Sequence, residues 1–379
     1  MYFKLNLYYC FLLVLVFTIF LTACQSEEKS LVFQGEEFPF ELEQVVDGVQ
    51  IPFAIAFISE QKMLVTNRFS NEIFLIDVKA RTKTLLKGIP KSYAAGDGGA
   101  LDILPHPDFQ QNQWLYFSHS IGDSIRSTMV IDRGKLHADS LVQIERIFTV
   151  FPFYKGSSHY GNRMAIQDNY LFVSMGDRYD LMDSAQTLSN HLGKILRIHD
   201  DGRIPMDNPF MDSLDTAPEI WSYGHRNPQG LTIHPETGEI WSHEHGPKGG
   251  DEINRIHPKH NYGWPIICHG IDYDDTPIGA GITHKEGMQQ PFYYYVPSIA
   301  PSGMQFYWGN RYKNWKGNLF LGAMAKTHLN RLVIENNQVV HEERLLQDFG
   351  KRIRSITQGP DGFLYIGVDG GGIYRLKPI

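Results

Sequence analysis

The sequence predicts an all-β protein, a six-bladed β-propeller with four-stranded blades. Short apolar runs recur along the chain, broken by Gly, Pro, Asp and Asn, and no long amphipathic helical pattern interrupts them. In addition, a weak internal repeat occurs six times at spacings of roughly 45 to 75 residues, near or above the typical period of propeller blades. The combination favours a ring of similar β units.

Each copy of the repeat has an apolar alternating strand, a turn with Pro, Asp or Gly, and a second strand rich in β-branched and aromatic residues. Because the copies spread over the whole mature chain, they favour a propeller, with a central channel and functional loops on one face, over a β-sandwich or two β domains. No linker divides the body, so residues 37–379 are predicted to form one domain. The copies begin at Ile51, Gly99, Gly161, Gln229, Gly303 and Ile353.

The N-terminus has the pattern of a targeting segment, and residues 1–23 are predicted to be a lipoprotein signal peptide. Lys4 gives a short positive region, an apolar run follows, and Leu21-Thr22-Ala23-Cys24 resembles the lipobox of bacterial lipoproteins. This predicts lipidation of Cys24, a tether over residues 24–36, and a lipid anchor in the bacterial envelope, either on the periplasmic side of the outer membrane or at the cell surface. The alternative is a plain secretory signal or a single anchoring helix.

Cysteine usage and charge narrow the class of protein. Of the three cysteines, Cys10 lies in the predicted signal and Cys24 would carry lipid, so Cys268 alone leaves no internal disulfide. The chain must then be stable through its core, for which 379 residues of 42% hydrophobic composition provide enough material. A net charge of -7 argues against nucleic acid as a partner.

One turn-rich stretch, from Trp221 to Trp264, is unusually dense in charged and polar residues. Arg226 offers a rigid fork of donors for an anion. The segment Gly246 to Gly250 cannot be a strand or helix interior, so its carbonyls are free to face a cation, and nearby Asp251 and Glu252 add oxygens of the kind that Ca²⁺ takes. The alternative is a long polar hairpin loop with solvated charges.

Several long, collinear motifs resemble those of the soluble pyrroloquinoline quinone (PQQ)-dependent aldose sugar dehydrogenases of the glucose/sorbosone dehydrogenase family. They run from about Pro52 to near the C-terminus. The motifs are GDGGALDILPHPDF, HYGNRMAIQDNYLFVSMGDR, LSNHLGKILRI with the following DNPF, PEIWSYGHRNPQGL, EHGPKGGDEIN, NYGWP, IAPSGM and RIRSITQGPDGFLYIG.

The resemblance implies three catalytic residues. His159 falls at the family's general base, which takes the proton of the sugar C1 hydroxyl while hydride leaves C1 for the quinone, and imidazole suits this role near neutral pH. Asp177 matches an aspartate beside that histidine, where a carboxylate would fix the tautomer, although Gly-Asp is also ordinary turn chemistry. Arg226 would stabilise charge as the cofactor is reduced.

The resemblance also implies the cofactor sites. Asn227 joins Arg226 in holding the quinone, and Arg352 and Arg354 match two arginines that face its carboxylates; residues two apart on a strand share a face, which supports that pairing. The alternative for the two arginines is a surface strand with solvated charges. The implied Ca²⁺ ligands are the main-chain carbonyls of Gly246 and Pro247. A second calcium area matches Asp251, Glu252 and Tyr262, where plain ion pairing with Lys248 or Arg255 is the alternative.

Two positions depart from the family pattern. Asp97 stands where the family has glutamine, and an ionised carboxylate accepts hydrogen bonds but cannot donate them. A cofactor lysine of the glucose-specific branch falls at Ala325, with Lys326 next to it as the predicted cofactor contact. One cation fewer and one anion more are expected to weaken the binding of a tricarboxylate.

Three functions follow in order of preference. The first is oxidation of an aldose to the lactone, with PQQ and Ca²⁺ as cofactors and a quinone or small redox protein as electron acceptor. The second is a non-catalytic surface propeller that binds carbohydrate, and the third is a Ca²⁺-dependent lactonase-like hydrolase, since six-bladed propellers also host that chemistry. The arginines at 226, 352 and 354 discriminate, because an anionic quinone needs them and a neutral lactone does not.

Overall fold

The computed structural model of the chain describes residues 31–379. Over this range six antiparallel sheets form a ring, so the predicted six-bladed β-propeller is confirmed. The predicted signal peptide, the lipidation site at Cys24 and the start of the tether lie outside the described residues. Between residues 31 and 379 no helix is long and apolar enough to cross a membrane.

The chain enters through two strands that belong to the last blade, and then builds five blades of four strands each. The entering strands are β1 (Leu31–Gln34) and β2 (Pro39–Val46). Blade 1 contains β3 (Pro52–Phe57), β4 (Lys62–Asn67), β5 (Glu72–Asp77) and β6 (Thr82–Leu85). Blade 2 contains β7 (Ala100–Pro105), β8 (Trp114–Gly122), β9 (Ser127–His137) and β10 (Ser140–Thr149).

The next three blades follow the same plan, with each strand hydrogen-bonded to the one before it. Blade 3 contains β11 (Gly161–Gln167), β12 (Tyr170–Met175), β13 (Lys194–His199) and β14 (Ile220–Tyr223). Blade 4 contains β15 (Pro228–Ile233), β16 (Ile240–Glu244), β17 (Asp251–Ile256) and β18 (Tyr293–Tyr295). Blade 5 contains β19 (Pro301–Phe306), β20 (Leu319–Ala323), β21 (Leu329–Glu335) and β22 (Gln338–Leu345).

Blade 6 closes the ring by joining the two ends of the described chain. Its inner strands are β23 (Ile353–Gln358), β24 (Leu364–Val368) and β25 (Gly372–Pro378). The entering strand β2 pairs antiparallel with β25, so that Phe40 lies opposite Pro378, and β1 adds a fifth strand at the edge. The tether was predicted over residues 24–36. Residues 31–34 instead form β1, which pairs with β2 in this sheet, so the prediction is wrong for that part.

The six repeat copies coincide with the inner hairpins of the six blades, which explains their apolar character. Inner strands are covered on both faces by neighbouring blades, and β3 and β4 are buried along nearly their whole length. Aromatic side chains fill the wedge between blades, as where Trp241 of β16 meets Phe306 of β19 edge to face at 5.3 Å. Between residues 31 and 379, helix is confined to α1 (Phe109–Asn112) and two 3₁₀ turns, Met182–Gln186 and Gln347–Phe349.

The central channel is divided by a buried arginine. The guanidinium of Arg163 on β11 donates to the main-chain carbonyls of Phe53, Gln229 and Arg354, which lie on or beside three other inner strands. On one side of it, a cavity of about 340 Å³ is lined by the later residues of all six inner strands. The inner strands therefore run in the same direction, and their N-terminal ends meet at the opposite mouth.

Candidate active site

The loops that precede the inner strands converge on a cavity at this second mouth. The cavity has a volume of about 300 Å³. Its lining comes from the loops before β11 and β15, the loop after β12, and the long connections on either side of β17. The lining residues are His159, Asp177, Tyr179, Asp180, Met182, Arg226, Pro247, Trp264, Asp272 and Ile278. All three predicted catalytic residues are among them.

His159 and Asp177 form a hydrogen-bonded pair in this cavity. The distance from His159 Nδ1 to Asp177 Oδ1 is 2.7 Å, and Asp177 is only 1% exposed. Oδ1 also accepts the main-chain N–H of Tyr179 at 2.8 Å, and Oδ2 accepts the indole N–H of Trp264 at 2.8 Å. An ionised carboxylate can only accept, so the neutral imidazole carries its proton on Nδ1 and presents the lone pair of Nε2.

The main chain of His159 is held in a left-handed conformation, with φ at 49°. A non-glycine residue persists there only when its surroundings fix it. Its N–H donates to Asp97 Oδ2 at 3.0 Å, and its carbonyl accepts the N–H of Arg178 at 3.3 Å. Asp97, the departure from the family pattern, thus positions the histidine backbone.

Arg226 lies beside Asp177, because its carbonyl accepts the Asp177 main-chain N–H at 2.8 Å, and it is only 4% exposed. Its Nη1 donates to the carbonyls of His245 at 3.0 Å and Gly246 at 2.8 Å, and its guanidinium lies 5.2 Å from the Trp264 ring centroid. Its main-chain N–H donates to Glu244 Oε2. The other oxygen, Oε1, lies 2.9 Å from Nδ1 of His225. The Arg226 Nε is buried and has no hydrogen-bond partner among the described residues.

The remaining predicted cofactor residues occupy different places at this mouth. Asn227 Oδ1 accepts from the Gly161 main chain and from Gln229, both at 3.2 Å, and so joins blades 3 and 4. Arg354 is buried and donates twice to Asp369, at 3.0 and 2.6 Å.

Arg352 and Lys326 form the outer part of this group. Arg352 is exposed, with its Nε 3.4 Å from the same Asp369, so both arginines contact one carboxylate. Its Nη2 also lies 3.6 Å from the Met324 sulfur. Lys326 is exposed on the loop that begins with Met324. Neither residue lines the 300 Å³ cavity.

Arginines concentrate positive charge beside the His159–Asp177 pair. Arg68, at the end of β4, lies 3.9 Å from Asp97, and its buried Nε has no hydrogen-bond partner among the described residues. Burial and the neighbouring charges of Arg354 and Arg352 lower the pKa of Arg68 to about 10. Asp97 and Asp369 offset part of this charge, and three arginines against these two carboxylates leave an excess of one positive charge there.

The predicted metal-binding segment is only partly suited to a cation. Both oxygens of Asp251 are occupied: Oδ1 accepts from Gly246 at 2.9 Å, and Oδ2 accepts from Ser298 and from the main chain of Ile299 and Ala300. Within residues 31–379 no group of three or more His, Cys, Asp or Glu side chains is placed to hold a metal ion.

Glu252 faces a different environment from its neighbour in sequence. With Glu244 and Tyr262 it lines a cavity of about 10 Å³, roughly the room for one water or ion. Burial and the nearby Glu244 carboxylate raise the pKa of Glu252 to about 8. The Tyr262 hydroxyl donates to the Arg255 carbonyl and accepts the main-chain N–H of His257 at 2.9 Å, so this oxygen is already engaged.

Three residues of the site were not found in the sequence. Arg68 lies outside the quoted motifs, and nothing local distinguishes it from other strand-end arginines. Asp369 lies just beyond the last motif, and its role depends on how β24 returns to the arginines. Trp264 stands within the motif NYGWP, so the motif marked the position but not its bond to a carboxylate 87 residues away.

Comparison with known proteins shows what this chain is similar to. A family model described as glucose/sorbosone dehydrogenase matches residues 49–375. The aldose sugar dehydrogenase YliI of Escherichia coli (strain K12) is 35% identical over 346 residues, covering 89% of this chain and 92% of that protein. The apo-form crystal structure of the soluble aldose sugar dehydrogenase from Escherichia coli aligns with a TM-score of 0.86 at 34% identity, covering 90% of this chain and 100% of that one.

A more distant structure shares the fold. The PQQ-bound form of aldose sugar dehydrogenase from Streptomyces coelicolor aligns with a TM-score of 0.72 at 24% identity, covering 88% of this chain and 96% of that one. The ring of six blades is thus common to all of these proteins.

Proposed function

Because this chain belongs to the glucose/sorbosone dehydrogenase family, a family of oxidoreductases, we propose that it oxidises aldose sugars at C1 to the lactone with PQQ as the hydride acceptor. The observation that carries the proposal is the His159–Asp177 pair, with the free Nε2 of the histidine in the same 300 Å³ cavity as Arg226. A base, its orienting carboxylate and a cation are the groups that this oxidation requires.

The residues present fit PQQ, a planar tricarboxylate. Arg226 and Arg68 each have a buried Nε without a partner among the described residues, and such donors favour a carboxylate or carbonyl oxygen. Arg352 and Arg354 extend the positive region along the same mouth. Asp97 is less unfavourable than its charge suggests, because it is bonded to the His159 N–H and lies near Arg68.

Calcium is proposed as the second cofactor, with the carbonyls of Gly246 and Pro247 and the carboxylate of Glu252 as candidate oxygens. Pro247 lines the larger cavity and Glu252 the smaller one beside it. Asp251 is left out of this set, because its oxygens already accept four hydrogen bonds. The Gly246 carbonyl is shared with Arg226.

The roles of the chain's own residues follow from their geometry. His159 Nε2 takes the proton of the C1 hydroxyl while the C1–H bond breaks with its electron pair and the C1=O bond forms. Asp177 holds the imidazole in the required tautomer and stabilises the imidazolium that results. Arg226 offers its unpartnered donor to negative charge that develops in the cavity. PQQ, when bound, supplies the two-electron acceptor for the hydride.

The electron acceptor and the compartment complete the proposal. The reduced cofactor would pass its electrons to a quinone or a small redox protein, and a lipid on Cys24 would hold the enzyme in the bacterial envelope. Metabolic labelling with a palmitate analogue tests the second point, since Cys24→Ala abolishes incorporation if the lipidation is correct.

Reconstitution of the purified apoprotein tests the main proposal. With PQQ and Ca²⁺ added, we expect aldose-dependent reduction of an artificial dye, and His159→Ala should lower kcat by at least ~10²-fold. His284→Ala is the matched control, because His284 is exposed and lies outside the cavity. Absence of dye reduction across common aldoses in the reconstituted protein would contradict the proposal.

A further inference from the structure

Lys194, at the start of β13, is a charged residue that is 0% exposed. Its ammonium donates to three main-chain carbonyls, those of Leu192 at 2.5 Å, Ser184 at 2.9 Å and Ala185 at 3.1 Å. No carboxylate of the described residues forms an ion pair with it. An ammonium has three donors and no acceptor, so these carbonyls satisfy it completely.

Such a residue is unfavourable to bury. Removing an ammonium from water without a counter-ion destabilises the charged form, and burial lowers the pKa of Lys194 to about 7. A methionine would fill the same space without that penalty. The geometry around the ammonium indicates what the charge contributes.

Two of the three carbonyls belong to the 3₁₀ turn Met182–Gln186, which lies between β12 and β13. This turn carries Met182 into the wall of the active-site cavity. The Ala185 carbonyl also accepts the N–H of Gly224 at 3.0 Å, two residues before Arg226. The Gln186 amide donates to the Trp264 carbonyl at 2.7 Å.

The third carbonyl, that of Leu192, directly precedes Gly193, which bonds to two more segments of the site. The N–H of Gly193 donates to the Gly176 carbonyl at 3.1 Å, directly before Asp177. The Gly193 carbonyl accepts the N–H of His225 at 3.1 Å, directly before Arg226. A Cβ on Gly193 would lie 2.4 Å from the His225 carbonyl oxygen, so these segments are in close contact.

We propose that Lys194 is a positioning residue of the active site. Its ammonium acts as an internal cation that joins the 3₁₀ turn to the start of β13, and through them it fixes the segments that present Asp177, Arg226 and Trp264. The inference rests on the proposed function for its catalytic consequence, but the clamp itself is a property of the protein without cofactor or substrate.

The three carbonyls that surround the Lys194 ammonium explain why a cation is needed there. Without the ammonium, the Leu192 carbonyl loses the hydrogen bond that it accepts from Lys194, and the Ser184 and Ala185 carbonyls each lose one donor. Only the Leu192 carbonyl is then left without a donor among the described residues, because Thr187 and Asn190 still donate to Ser184 and the Gly224 N–H still donates to Ala185. A buried carbonyl without a donor is destabilising, so the segment before β13 would move to find another partner. Carbonyl oxygens grouped in this way also bind small free cations. Deletion of the side chain should therefore leave a site that an alkylammonium ion can fill.

The experiment compares Lys194→Met, Lys194→Arg and Lys194→Ala with wild-type protein by hydrogen exchange in the absence of cofactor. We expect faster exchange in Lys194→Met over residues 176–193 and 222–228, with blade 5 unchanged, and recovery of protection in Lys194→Arg. Exchange equal to wild type in those two segments would overturn the proposal.

The alanine variant distinguishes a cation from mere packing. Refolding Lys194→Ala with n-propylammonium should restore protection in the same segments, whereas 1-propanol of nearly the same shape should not. Equal restoration by both compounds, or by neither, would overturn the proposal. This comparison still decides the question if Lys194→Met loosens the whole ring.

Activity adds an independent readout. In reconstituted protein we expect kcat of Lys194→Met to fall by at least ~10-fold, with restoration in Lys194→Arg, because misplaced catalytic groups slow the chemical step. If the wild-type protein shows no dehydrogenase activity, the proposed function fails while the exchange result still decides the clamp.

Discussion

Replacing Asp177 by asparagine isolates the negative charge at the centre of the site. The carboxylate accepts three N–H groups: His159 Nδ1–H and the Tyr179 main chain on Oδ1, and the Trp264 indole on Oδ2. An amide has one acceptor oxygen and one donor NH₂ group, so in either orientation an N–H faces another donor. The orientation with oxygen in the Oδ1 position loses fewer bonds, and the Trp264 bond is then lost.

The magnitude follows from these contacts. A hydrogen bond to a charged group contributes about 1.5–3 kcal/mol, so the free energy of unfolding should fall by about that amount. The larger effect is on catalysis, where charge centres about 4 Å apart interact by about 4 kcal/mol at an effective dielectric constant near 20. Each increment of about 1.4 kcal/mol is a factor of ten in rate, so kcat should fall by ~10³-fold.

Two assays and one control test this reasoning. Dye reduction by the reconstituted protein measures kcat, and urea denaturation measures stability. Asp183→Asn is the matched control, since Asp183 is exposed on the same loop. If Asp177→Asn retains wild-type kcat with an unchanged folded structure, the carboxylate does not stabilise an imidazolium and the dyad has another role.

Three further perturbations test other parts of the site. Glu252 beside Glu244 has a pKa of about 8 in the folded state, against an ordinary value of 4.5, so the free energy of unfolding falls as pH rises between these values. Glu252→Gln should flatten that fall in thermal melts, and a pH dependence of the melting temperature equal to that of the wild type would contradict the pKa assignment. Asp97→Asn keeps an acceptor for the His159 N–H but removes a negative charge, so fluorescence titration should show tighter PQQ binding, and weaker binding would refute the charge argument. Arg352→Met should weaken PQQ binding without changing the melting temperature, because this guanidinium is exposed; an unchanged dissociation constant would remove Arg352 from the binding site.

Local sequence information was sufficient for the fold, whereas the pairing of His159 with Asp177 was predicted from the resemblance to a known family. The six repeat copies mark the inner hairpins because burial on both faces requires apolar residues there, whatever the neighbouring blade contributes. His159 and Asp177 lie on either side of one such hairpin, β11–β12, so a single motif contains both. Residues that lie within one blade and act together can therefore be recognised from one motif of a known family.

Other features depend on contacts between distant segments and could not be predicted. Residue type made Asp251 a reasonable calcium ligand, but the sequence does not show that Ser298 and its neighbours already occupy the carboxylate. In the same way, Asp97 looked unfavourable for an anionic cofactor because its bond to the His159 main chain was not visible. β1 was taken for a tether because four residues without its partner strand have no strand signal of their own.

The pairing of β2 with β25 means that the last sheet is shared between the first and last strands of residues 31–379. Phe40 cannot meet Pro378 until residue 378 has been synthesised, so the ring stays open, with an exposed strand edge, up to that point. A protein built in this way acquires its final stability in one late event, and deletion of β2 or of β25 would leave the ring open.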